Sequence, residues 1–442
     1  MNPTKRIISV CVAISVLLCS GIMARFQGVQ AQEKPERVLS LEESIRLAKT
    51  NNQALLVLSE EENLANHRIK LAKSKKYPEI ILGGGYTNLK VTKPMTLSPL
   101  LGGTSLDVGL SEYYTTNLSF RQLIYSGGYL SSISREARLN LQEVESDYRL
   151  EKRNIVFEVT KNFYTVLLFE EIAGIYEEAV NDQDLMLDLA KQQKTLNEYN
   201  LVNAEVQISV LKASLQKARQ DLNEAYTLFN KSLGIELNTN VSLQGELVYI
   251  NNEEYDVNRS ITRALQFSPE LNRKKIEEQM NDVRVALSQG KLYPSVILGG
   301  DLAYSGEEFP PEGKSWMATI AVSLPIFDGW ASLTRVKQAK SELRKTKLER
   351  VKLSDEIKLR VQQVLSDHER TKDAIKSLEK TRDLCQRSAS IAIKAFRKGQ
   401  ISFVELLGTQ ITLVYARINY SQNLCAYMVS DAELSIITNP VE

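Results

Sequence analysis

Two hydrophobic rhythms alternate along the chain. Stretches at 80–88, 113–125, 295–304 and 315–327 switch between apolar and polar with period two, which predicts strands with one greasy and one wet face. Val296, Leu298, Gly300, Leu302 and Tyr304 share one face, and Asp301 lies on the other. Trp316, Ala318, Ile320, Val322 and Leu324 oppose Met317, Thr319, Ala321 and Ser323. In the first pair Tyr114, Thr116, Leu118 and Phe120 oppose Asn117, Ser119 and Arg121. The shorter stretches match the roughly 9–11 residues that a tilted strand needs to cross a bilayer.

The second rhythm has a period of three to four. Ile357, Val361, Val364, His368, Ile375, Leu378, Arg382, Cys385 and Ala389 form one seam within 330–398. Neither proline nor glycine interrupts 331–398, and 129–196 holds only Gly174. Each predicts a helix near 100 Å long at about 1.5 Å per residue. Return helices are predicted at 202–233 (Leu211, Leu215, Ala218, Leu222, Ala225, Phe229, Leu233) and 402–437 (Val404, Leu407, Ile411, Val414, Ile418).

The two rhythms occur twice in the same order. Tyr77-Pro78 followed by Ile80-Ile81-Leu82-Gly83-Gly84 returns as Tyr293-Pro294 followed by Val296-Ile297-Leu298-Gly299-Gly300. Ile45, Ala48, Leu55 and Leu71 return at the same offset as Ile261, Ala264, Leu271 and Leu287. Ile124-Tyr125-Ser126-Gly127 returns as Ile326-Phe327-Asp328-Gly329 at a shorter offset, because the first copy has the longer loop between its strands. The chain therefore divides into a first repeat at 32–245 and a second at 246–442. Four strands close no useful barrel, and open edges cannot sit in lipid, so the edges are expected to pair with further copies in a cyclic oligomer.

Residues 1–31 read as a secretory signal: Lys5 and Arg6, an uncharged apolar run from Ile7 to Met23, then Val29-Gln30-Ala31. Net charge is +1, with 55 basic and 54 acidic residues, which excludes a broad nucleic-acid footprint. Beyond the signal only Cys385 and Cys425 remain. On antiparallel helices turning near Gly399 they stand roughly 18 Å apart, too far for a disulfide, and read as small core residues.

Catalytic chemistry is not legible. His67 and His368 are the only histidines, and His368 falls on a core seam. No metal-ligand spacing, nucleophile elbow or Walker loop appears, so no cofactor, metal or enzyme activity is expected. Gly83-Gly84-Gly85 lies inside a strand and opens no helix, which suits close packing or curvature rather than a phosphate cradle.

Leu41 to Asn52, the two Tyr-Pro strand starts, Pro325-Ile326-Phe327-Asp328-Gly329 and Gly399 followed by Glu405 resemble, in order and spacing, the TolC family of outer-membrane efflux proteins. The resemblance covers about Leu39 to Thr438. It implies a mixed α/β membrane protein: a homotrimer with a shared twelve-stranded β-barrel in outer-membrane lipid and a long periplasmic α-helical barrel. It implies an exit duct served by a periplasmic adaptor and an inner-membrane pump of the RND, ABC or MFS type. The alternative is a soluble periplasmic coiled-coil adaptor. The family's periplasmic entrance maps to the turns at 197–202 and 398–402. There Gly399 and Glu405 fit the family pattern, Asn200 or Asn197 replaces the usual left-handed glycine, and Glu205 is the nearest acid. Arg121 and Asp301 are the candidates to line the barrel lumen.

Overall fold

The computed structural model describes residues 37–88, 95–96, 105–106, 112–192, 197–250 and 255–439. The expected signal at 1–31, with Cys11 and Cys19, lies outside the described residues.

Eight helices and eight strands are described. The helices are α1 (Leu41–Asn51), α2 (Gln53–Ser74), α3 (Tyr129–Gln192), α4 (Glu198–Leu233), α5 (Val257–Phe267), α6 (Pro269–Gly290), α7 (Ala331–Arg397) and α8 (Phe403–Thr438). The strands are β1 (Arg37–Leu39), β2 (Glu79–Asn88), β3 (Met95–Thr96), β4 (Ser105–Leu106), β5 (Glu112–Ser126), β6 (Val241–Leu243), β7 (Ser295–Gly306) and β8 (Gly313–Ser323). The predicted strand at 315–327 stops at Ser323, because Pro325 has no N–H to give a ladder.

The long rods α3 and α7 contain 64 and 67 residues. At about 1.5 Å per residue each spans close to 100 Å. The other rods are composite. Helix α4 ends in a left-handed cap at Gly234, against the backbone of Asn51 and Asn52. Asn52 caps the start of α2 and also donates to the Ser232 carbonyl. The second copy repeats the joint. Ser268, followed by Pro269, caps α6, and Arg263 of α5 donates to the Thr438 carbonyl at the end of α8.

Rod α3 packs on α2 and α4 on one side and on α6 and α8 on the other, and α7 lies beyond α6 and α8. Ion pairs trace these contacts: Arg219–Glu177 and Lys212–Asp184 from α4, Arg273–Asp147 from α6, Arg417–Glu178 from α8. The rods form a curtain one helix thick, with α7 at one margin and α2 plus α4 at the other.

Halfway along the curtain α1 and α5 pack on the rods in equivalent ways. Ala48 of α1, with Leu55 from the first turn of α2, joins Ile155, Val159, Phe163, Phe229 and Leu233, while Ala264 of α5 joins Val361, Leu365, Leu434 and Ile437. The parallel pair β1–β6 ties the same level together. Cys425 is buried and Cys385 half-buried, both as free thiols. Arg382 stays on its seam by laying its guanidinium over the Tyr420 ring, 4.4 Å from the centroid.

His368 is buried at this level. Its ring stacks on Tyr427 at 4.8 Å, meets the edge of Tyr255 and lies 3.3 Å from the Ser430 hydroxyl through Nδ1. Tyr255 donates to Asp431 at 3.0 Å. Burial pushes the imidazole below its ordinary value; Lys372 adds to this, while Asp431 and Glu369 oppose it. The folded chain thus favours neutral His368. The unfolded chain binds the extra proton first, so this contribution is present above about pH 6.5 and is lost as pH falls through that value toward the lower folded pKa. Melting temperature is expected to drop more steeply below pH 6.5 in the native protein than in His368→Gln. Equal slopes would remove His368 as the cause.

Candidate channel wall and hairpin tips

The sheet at one end of the rods has strand order β2-β5-β7-β8, all antiparallel. The central β5–β7 pair joins the two repeats. The register runs Leu82–Leu118–Leu302–Trp316 across the sheet, and the β5–β7 ladder is broken by one bulge between Leu123 and Tyr125. Side chains alternate along a strand. This register therefore puts even-numbered residues of all four strands on one face, up to Leu123 in β5, where the bulge shifts the alternation by one. That face carries Ile80, Leu82, Tyr86, Phe120, Leu298, Trp316, Ile320 and Val322. The odd-numbered face carries Thr115, Asn117, Ser119, Arg121, Asp301, Ser315 and Thr319, with glycines between. Arg121 pairs Gly299 and Asp301 pairs Ser119, so the two candidate lumen charges are diagonal neighbours.

The joint between sheet and rods depends on Gly127. Its φ is +57°, and a Cβ there would lie 2.5 Å from the Gly290 carbonyl oxygen. The first repeat's strand exit and the second repeat's α6 end therefore meet backbone to backbone.

At the far end, the turn after α7 follows from its sequence. Gly399 has φ +70°. Its N–H donates to the Phe396 carbonyl, and the Gln400 N–H donates to the Ala395 carbonyl, which closes a Schellman motif. Ser402 then caps α8. Its hydroxyl accepts from the Glu405 N–H, and the Glu405 carboxylate accepts from the Ser402 N–H at 2.8 Å and hydroxyl at 3.0 Å. These bonds, the backbone one foremost, hold the exposed Glu405 carboxyl below its ordinary pKa. It is charged, and it is also half of a capping box. The Ser-x-x-Glu spacing was the available signal for this second role.

The first hairpin turns differently from the expectation. Asn200 lies inside the first turn of α4, not in the loop, and neither it nor Asn197 adopts the left-handed conformation. Asn197 is extended, with φ −77°, and its side chain accepts from the Asn200 N–H at 2.8 Å. Asparagine serves here as a helix N-cap, where its side-chain oxygen is more useful than tolerance of positive φ. Glu205 pairs with Lys191 across the hairpin at 2.9 Å, both partly exposed. The structure thus brings Gly399 and Glu405 to one turn, and Asn200 and Glu205 to the start of α4. The tips pack on one another through Leu187, Ala190, Ala204, Ile208, Phe403 and Leu407.

The profile of the family described as outer membrane efflux protein matches residues 44–227 and 260–439, one match per structural repeat. The chain belongs to this family. Nodulation protein T of Rhizobium leguminosarum bv. trifolii is 22% identical over 409 residues, spanning 88% of this chain and 77% of that protein. The CmeC outer membrane channel of Campylobacter jejuni superposes with a TM-score of 0.79 at 16% identity, covering 90% of this chain and 85% of the other. VceC, an outer membrane protein of Vibrio cholerae, gives 0.77 at 14% identity, covering 91% and 97%. The fold is TolC-like and the family is one of channels rather than enzymes. In this outer membrane efflux protein the sheet is the membrane wall and the rods extend into the periplasm. Among the described residues no helix is long and apolar enough to cross a membrane.

Proposed function

We propose that three copies of this chain close into one exit duct, which carries small molecules or polypeptides delivered by an inner-membrane pump (RND, ABC or MFS type) through a periplasmic adaptor. The observation that carries this reading is a pair of unsatisfied margins on every layer. In the sheet, β2 and β8 are open edges running in opposite directions, so β8 of one copy matches β2 of the next. In the rods, exposed apolar side chains line both margins: Leu348, Leu359, Leu384 and Ile391 on α7, and Val202, Val206 and Val210 on α4. A head-to-tail ring buries all of these at once. A soluble adaptor has no use for open edges beside an apolar face. In the closed ring Arg121 and Asp301 line the lumen, and the turns at Gly399 and Asn197 surround the periplasmic entrance.

Mature protein reconstituted from detergent into vesicles is expected to run as a three-chain oligomer and to release small solutes. A water-soluble monomer that leaves the vesicles sealed would overturn the assignment.

Glu405 makes a negative ring at the entrance in this assembly, with Glu205 partly neutralised by Lys191. Glutamine at the third helical position keeps a capping box but removes the charge. Glu405→Gln is therefore expected to lower cation-over-anion permeability in planar bilayers without lowering helix content. An unchanged permeability ratio would confine Glu405 to its capping role.

A further inference from the structure

Among the described residues one non-glycine residue has positive φ: Trp330, at +66°. It stands just before α7. The corresponding residue of the first repeat, 202 positions earlier, is Gly128, with φ +83°. The joint demands a left-handed residue in both copies. Glycine meets that demand without steric cost, whereas a bulky side chain is rarely found there. The protomer offers the indole little in return. Trp330 is 66% exposed, and its ring contact is the edge of Phe327 at 5.9 Å, itself 73% exposed.

Its position in the wall is more informative. The lipid face of β8 runs through Trp316, Ile320 and Val322, and continues through Leu324 to Ile326, which is 94% exposed. The chain holds two tryptophans, and they bracket this strip: Trp316 near the β7–β8 turn and Trp330 on the periplasmic side. The seven steps from Trp316 to Ser323, at about 3.3 Å each and a tilt near 40°, project to roughly 18 Å, and Leu324 to Ile326 carry the strip past the strand end toward the ~25 Å height of the apolar band of an outer-membrane barrel. The exposed cations Arg335, Lys337 and Lys340 follow on the first turns of α7, at the level where phosphates would lie. Apolar strip, indole and then cations is the order of a bilayer crossed from hydrocarbon to headgroup. An indole, flat and apolar with one N–H, favours that boundary.

We propose that Trp330, flanked by Ile326 and Phe327, is an anchor for the periplasmic leaflet of the outer membrane, held outward by its left-handed backbone so that it fixes the depth of the barrel. The partner is the phospholipid interface rather than a second copy of the chain. This anchoring rests on the membrane location of the sheet and not on the number of subunits.

Trp316→Phe leaves Trp330 as the sole tryptophan. In vesicles, its fluorescence is expected to be quenched most by a spin label on the lipid headgroup and progressively less by bromines at deeper acyl positions. Strongest quenching by deep bromines, or quenching by aqueous iodide alone, overturns the proposal. Protection from every quencher does so too, because it would place the ring against another subunit. The anchoring role has its own readout. Trp330→Gly suits the backbone, so folding is preserved, and Trp316 becomes the depth probe. Its quenching profile is expected to broaden and shift. An unchanged Trp316 profile would make Trp330 a passive surface residue.

Discussion

Glu270→Ala is expected to destabilise the helical curtain by about 3–5 kcal/mol, the range for removing one partner of a buried ion pair. Arg153 of α3 has 9% of its side chain exposed and donates through Nη2 to Glu270 in the first turn of α6. Ser268, the N-cap of α6, donates to the other carboxylate oxygen at 2.7 Å. Burial pushes the Arg153 guanidinium below its ordinary pKa, and Glu270 opposes that shift. Alanine would strand this cation between the two repeats, where its desolvation goes uncompensated. Chemical unfolding followed by helical circular dichroism measures the loss. The double replacement Arg153→Met with Glu270→Leu is expected to recover most of it, since an apolar pair needs no ionic partner. A Glu270→Ala loss below about 1 kcal/mol, as at a solvated surface pair, would show that water reaches Arg153.

Phe403→Ala is expected to cost a similar amount, about 3–5 kcal/mol for a fully buried aromatic residue, but at the hairpin tips. Phe403 is 1% exposed and opens α8 against Phe396, Leu187 and Ile208, so it clamps both hairpin tips together. The loss should remain local. Limited proteolysis is expected to cut near the tips well before the native protein is cut, while the melting of the equatorial clusters changes little. Cleavage at native rates would mean that the tips are held mainly by contacts outside Phe403.

Much of this architecture is written locally in the chain. Seam spacing gives the rods, alternation gives the strands, and the Tyr-Pro and Gly399 signals give the joints and one turn. Features set by distant partners were not legible. The pairing of β5 with β7 joins residues about 170–190 apart, and no local pattern specifies it. Asn197 and Asn200 are chemically alike, and only the helix start decides which one caps. Glu405 fits the entrance pattern by position, but its carboxylate also answers to Ser402, three residues back. The left-handed Trp330 was invisible because its φ is imposed by the joint between sheet and rod, while its side chain alone suggests an ordinary strand-end aromatic.

The strand count per copy has a topological consequence. In the proposed ring each chain donates four alternating strands, so its first and last point oppositely, and every seam between neighbours repeats the pattern inside them. Parity is thereby satisfied for any number of chains, so ring size is left to the angle between rods. A chain that lost or gained a single strand would set like-directed neighbours at each seam, which predicts that natural variation in the wall comes in hairpins.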